Sequence, residues 1–176
     1  MNMDGVSIIG WLHSIVATLS ILVGAVVLFG TKGTPRHRFL GKTYFVAMIA
    51  ANVSSLGIYH FDIASFAPFR AGPGVFGLFH WESIFTLAFL LLGFYAASRQ
   101  RRALFAYLHP VSMLITYYML TGGLVNELFV RVPFIRALGR QAATLAQTGA
   151  MMVFVALLVW SAVKVALYRR RTAIAL

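Results

Sequence analysis

Val6–Phe29 reads VSIIGWLHSIVATLSILVGAVVLF and carries no charged side chain. About 20 apolar residues, at about 1.5 Å each, cross a hydrocarbon core roughly 30 Å thick as α-helix. Its apolar positions do not alternate with polar ones, so a strand reading fails. Ala146–Leu167, interrupted only by Lys164, reads the same way. Counting outward from these two stretches, the hydropathy pattern predicts five helices, at residues 6–29, 43–61, 77–97, 106–126 and 145–167. The expected fold is all-α: a polytopic membrane helix bundle of five transmembrane helices, forming one domain over residues 1–176.

Composition agrees. Of 176 residues, 60% are hydrophobic and 11% charged, with a mean hydropathy of +0.84, whereas a soluble domain carries roughly 25% charged residues. A water-soluble globule is excluded. The chain has no cysteine, which removes disulfides, thiolate nucleophiles, iron–sulfur clusters and Cys-ligated zinc, and leaves His, Asp, Glu, Met and Tyr as metal donors.

Fifteen Lys and Arg against four Asp and Glu would suggest nucleic acid in a soluble protein. Here the cations flank apolar spans, and no nucleic-acid partner is expected. Placing the segments after the first, third and fifth spans in the cytoplasm puts Lys32, Arg36, Arg38, Lys42, Arg99, Arg101, Arg102, Lys164, Arg169, Arg170 and Arg171 inside, leaving Arg70, Arg131, Arg136 and Arg140 outside. The positive-inside rule then gives N-terminus out and C-terminus in. Met1–Asp4 lacks the basic n-region of a signal peptide, so the first span is expected to be retained. Residues 130–141 are too short and charged to span. After Pro133 they set Phe134, Ile135 and Leu138 on one helical face and Arg136 and Arg140 on the other, an interfacial pattern.

Membrane helices pack through small residues and shared polar groups. His13, Ala17, Ser20 and Gly24 share a face of the first span, and His109, Ser112, Thr116 and Gly123 a face of the fourth. Asn52 and Ser55 lie near mid-membrane, where an unpaired amide is costly, and are expected to face inward.

All four acidic residues, Asp4, Asp62, Glu82 and Glu127, fall at outer span ends or outside, together with His13, His60 and His80. Neutral imidazole is the commonest ligand for zinc, copper, iron and nickel, so His13, His80, His60 and Glu82 form a candidate metal set. No HxxxH or HExxH motif accompanies them. The same residues admit a b-type haem, which takes imidazoles from two helices at similar depth. His13 with His80 is the best pair, and His109 with His37 is the candidate for an inner site. Against both stands a plainer role for each histidine, hydrogen bonding to Ser, Thr or a backbone carbonyl. His60, between Tyr59 and Phe61, reads as an interface residue. Glu82 is about 200° around the helix from His80, so one of the two faces elsewhere, and Trp81 reads as an interface anchor. Tyr117, Tyr118 and the methionines read as packing. Met151 and Met152 are adjacent and point to different faces, which argues against a copper-thioether site.

Residues 30–42, GTKGTPRHRFLGK, are the most motif-like stretch. Gly33, Pro35 and Gly41 are expected to fix a sharp inner loop. Lys32, Arg36, His37, Arg38 and Lys42 gather cations that attract anionic headgroups. The GK[ST] ending and preceding strand of a P-loop are missing.

Lys32–Lys42 and the aromatic and Met-containing helix after it resemble the bacterial membrane-protein family called domain of unknown function 2306. His13, Phe79-His80 with Thr86 beyond, the basic turn Arg99–Arg102, and His109 fall where that family has histidines and basic turns. The resemblance covers about residues 8–120, with KGTPRHRFLG its specific part, and departs at Pro110, where an Arg-rich continuation is expected. It implies a four-helix core with a variable fifth helix, a bacterial inner-membrane location, and attention to His13, His37, His80 and His109. It implies no reaction.

No activated nucleophile with an acid–base partner is visible, and Asn52, Ser55, Thr116 and Tyr117 supply only neutral groups for a transport path. The leading expectation is a small integral membrane protein binding a transition metal ion or haem b through intramembrane histidines, in the service of membrane electron transfer. The alternative is a non-catalytic accessory subunit of a larger membrane complex. Expected partners are membrane lipids, with other membrane subunits or further copies of the chain.

Overall fold

The structure is a computed structural model and describes residues 8–58, 61–66, 74–76, 78–99 and 103–174. It is built of helices: α1 Ile8–Phe29, α2 Pro35–Ile58, α3 Leu78–Ser98, α4 Ala103–Arg131, the single turn α5 Pro133–Arg136, and α6 Gly139–Ile174. Strands β1 Phe61–Phe66 and β2 Gly74–Phe76 lie between α2 and α3. Among the described residues four stretches are long and apolar enough to cross a membrane: Ile8–Phe29, Pro35–Gly57, His80–Ser98 and Gln141–Lys164. The chain divides into two units, residues 1–90 and 91–176.

In the first unit, α1 and α2 form a hairpin whose turn is written in local chemistry. The Gly30 amide closes α1 on the Val26 carbonyl at 2.9 Å. Lys32 Nζ reaches back to the carbonyls of Val27, at 2.6 Å, and Leu28, so a cation sits on the negative end of the helix dipole. Gly33 takes φ +77°, a left-handed conformation that costs glycine little. Thr34 then caps α2: its Oγ1 accepts the His37 amide at 3.1 Å and its carbonyl accepts the Arg38 amide at 3.0 Å. Pro35 occupies the first helical position, where its missing N–H and fixed φ suit the helix.

As a result α2 starts at Pro35 rather than near residue 43. Arg36, His37, Arg38, Gly41 and Lys42, expected in a loop, are helical. A hydropathy reading misses these turns because their residues are polar, although capping and proline chemistry favour helix.

α1 buries Ser20 and Gly24, and α2 buries Tyr44, Ala47, Met48 and Ala51. These are mostly small residues, which let backbones approach closely in lipid. The Ser20 hydroxyl donates to the Val16 carbonyl at 2.8 Å, so its burial leaves no polar group unmet. The other face of α1, Ile8, Trp11, Leu12, Ile15, Leu19, Leu22 and Val26, is exposed at helical spacing and suits contact with lipid. The β1–β2 pair is parallel, with Phe61 opposite Gly74 and Asp62 opposite Val75. Strands of six and three residues outside the spans lie below what the hydropathy pattern detects.

In the second unit, α4 packs against α6. The Tyr118 ring stacks on Phe154 with centroids 4.5 Å apart, and its hydroxyl donates to Met151 Sδ at 3.5 Å. Met151 and Met152 are both exposed, and it is Met151 that turns to Tyr118. The expected interfacial helix is reduced to α5 and the residues after it, with Pro133 at its first position and Phe134 and Leu138 exposed. α4 runs on to Arg131, and α6 covers 139–174 rather than 145–167, because polar end turns stay helical beyond the apolar core. Cations lie against aromatic rings where two apolar stretches end: Lys164 Nζ, at the close of the Gln141–Lys164 stretch within α6, is 4.1 Å from the Trp160 centroid, and the Arg99 guanidinium, just after α3, is 5.7 Å from that of Tyr95.

Candidate functional site

α3 buries His80, Ser83, Thr86 and Leu90 at spacings of three and four residues, which makes one stripe of its first half. Glu82 lies off this stripe and is half-buried, in agreement with the 200° separation from His80. The Ser55 hydroxyl donates to its own Asn52 carbonyl at 2.7 Å and lies 2.7 Å from Ser83 Oγ. With the Ser55 proton spent on Asn52, Ser83 donates across the α2–α3 contact. His80, 3% exposed, is one turn from Ser83 on the same stripe.

From α1, His13 meets the same stretch of α2. Its Nδ1 lies 2.9 Å from the Ala51 carbonyl and 3.2 Å from Ser54 Oγ. A carbonyl only accepts, so Nδ1 carries the proton, and the neutral tautomer compatible with this contact has its lone pair on Nε2. Ser54 donates to the same carbonyl at 3.0 Å, completing a three-centre knot. His13 on α1 and the His80–Ser83 stripe on α3 therefore both border residues 51–55 of α2, in the half of the hairpin remote from the Gly33 turn.

His109, in the second unit, repeats the arrangement: its Nδ1 donates to the Gly93 carbonyl of α3 at 2.8 Å. Ser112 and Thr116, on the face expected for α4, are buried. The helices are close here, since a Cβ on Gly93 would lie 2.7 Å from Met113 Sδ and 3.0 Å from Ser112 Cβ. His37 sits in the first turn of α2, half-buried. His60 lies outside the described residues.

Among the described residues no three His, Asp or Glu side chains come together as a metal-ligand set. His13, His80 and Glu82 are thus not gathered around one point, and what the first unit offers is imidazole chemistry from two helices. Sequence reasoning singled out Asn52 and Ser55 but passed over Ser54, Ser83 and the Ala51 and Gly93 carbonyls. The run Asn52-Val53-Ser54-Ser55, polar within an apolar helix, was the available signal for Ser54. The carbonyls carry no sequence signal.

The sequence profile of a family described as predicted membrane protein, DUF2306, matches residues 10–164. No curated protein and no solved structure matches the chain.

Proposed function

The chain belongs to the predicted membrane protein family DUF2306, and from that premise we propose that it is a small multi-pass membrane protein that holds a b-type haem, or a transition metal ion, through His13 and His80. The observation that carries this reading is the knot at His13, whose Nδ1–H is spent on the Ala51 carbonyl while Ser54 steadies the ring. Metal-ligating histidines characteristically donate their other ring N–H to a carbonyl, carboxylate or water, which fixes the tautomer and raises the basicity of the ligating nitrogen. A neutral imidazole is also the form an apolar site tolerates at least cost. Haem iron so held supplies one-electron redox chemistry, and the chain's part is to orient the rings and exclude water. His109, with its Nδ1–H on the Gly93 carbonyl, is pre-set in the same tautomer, and His37 is the remaining candidate.

The proposal includes five spans, with α4, 29 residues long, as the fifth. It places the N-terminus outside a bacterial inner membrane, with the headgroups of anionic lipids around Arg36, Arg38 and Lys42.

An absorption spectrum with metal analysis on gently extracted protein tests the function. A Soret band or bound metal that His13→Ala abolishes and His60→Ala leaves in place is expected. Ser54→Ala should weaken retention by about 10- to 100-fold, the usual effect of removing a ligand's hydrogen-bond partner. Colourless, metal-free protein would replace this reading with that of a non-catalytic subunit of a larger membrane complex.

A further inference from the structure

The second unit holds a cavity of about 280 Å³ lined by Phe129 of α4 and Ala143, Thr144, Gln147 and Thr148 of α6. Its α6 residues lie in the first two turns of the candidate span Gln141–Lys164, and Phe129 in the last turn of α4, so it sits where the apolar core begins. A carboxamide at that depth is expensive unless its hydrogen bonds are met. Gln147 meets part of its need within the protein, since its Nε2 donates to the Gly122 carbonyl at 3.2 Å. Because that carbonyl only accepts, the amide orientation is set, and Oε1 is the atom left to accept. Among the described residues no donor reaches it. Thr144 and Thr148, both exposed, add hydroxyls at the rim, and Phe129 adds an aromatic wall.

We propose that this cavity binds the compact, neutral, hydroxyl-bearing head of a membrane-soluble amphiphile, with a head hydroxyl donating to Gln147 Oε1 and the tail lying in lipid. Three features select that chemistry. The volume is near the lower end of ligand pockets, roughly 300 Å³, which suits one ring or a glycerol-sized head. Among the described residues every lining side chain is neutral, which disfavours a charged head taken out of water. The waiting group is an acceptor, which calls for an O–H donor. A quinol and a diacylglycerol share this chemistry. The inference does not depend on the histidines.

Isothermal titration of the full-length protein in detergent with decylubiquinol, and separately with dioctanoylglycerol, tests it. Saturable binding of decylubiquinol that Gln147→Leu weakens about tenfold, as expected for one lost hydrogen bond, supports the proposal with a quinol as occupant. The same Gln147 dependence with dioctanoylglycerol alone supports it with a lipid as occupant. Binding of neither probe, or binding that Gln147→Leu leaves unchanged, overturns it. If Gln147→Leu fails to fold for want of the Gly122 tie, Phe129→Leu decides: a several-fold loss supports the site, and unchanged affinity overturns it.

Discussion

Thr34 and Lys32 show how much single side chains decide in the first unit. Thr34 accepts the His37 amide, one of the four N–H groups that a helix start leaves without partners. Thr34→Ala should cost about 1 kcal/mol, read as a lower midpoint of thermal unfolding in detergent. Lys32 answers the opposite need at the end of α1, where carbonyls are in excess. Both residues belong to a motif that the sequence presents as a cationic lipid surface. Their hydrogen bonds show that Lys32 also caps a helix, while Arg36, Arg38 and Lys42 remain exposed on α2. Neutralising Arg36 and Arg38 together should therefore reduce co-purified anionic lipid, measured by mass spectrometry, with little change in thermal stability, whereas Lys32→Ala should lower stability.

Elements meet where a small residue lets them. Gly93 on α3 admits the His109 ring and Met113 of α4 so closely that a methyl group would lie within 3.0 Å of two α4 side-chain atoms. Gly93→Ala should destabilise the α3–α4 contact by about 1–3 kcal/mol, the usual cost of overpacking. Met113→Ala in the same chain should recover part of the loss, because Sδ is the nearer atom. Thermal unfolding of the two single variants and the double variant, treated as a cycle, checks this. The inward faces were legible at this scale: the stripe from His13 to Gly24 and the positions Ser112 and Thr116 follow from helical spacing and residue size alone. The start of α2 was not, because PRHRFLGK is polar and hydropathy ignores capping. The β1–β2 pair was not, because its strands are too short to leave a pattern.

The molecule as a whole is a set of long apolar helices with cations near several of their ends. That distribution predicts a topology: cysteines introduced at Asn2 and at Thr172 should react with a membrane-impermeant maleimide from opposite sides. Labelling of both from one side would make the number of spans even and remove either α4 or one other helix from the count. The 0% burial of the Gln141–Lys164 span concerns the same scale. An α6 with no fully buried residue in its span holds to its unit by half-buried contacts such as Tyr118–Phe154, so single conservative substitutions among its exposed residues, Met152→Leu for example, should leave stability within about 0.5 kcal/mol.

Membrane residence, the course of α1 and α3, and the inward faces of α1 and α4 were determined by the sequence alone. Partition between lipid and water depends on the local run of side chains, and helical periodicity depends on spacing along the chain. Only the tertiary structure decided that His13 donates to the carbonyl of Ala51, 38 residues away, and that Gln147 donates to that of Gly122, 25 residues away. A backbone carbonyl is the same group at every residue, so nothing in the order of amino acids marks which one will receive an imidazole or an amide. That choice is made when the packed helices bring one acceptor within about 3 Å and water is no longer there to compete.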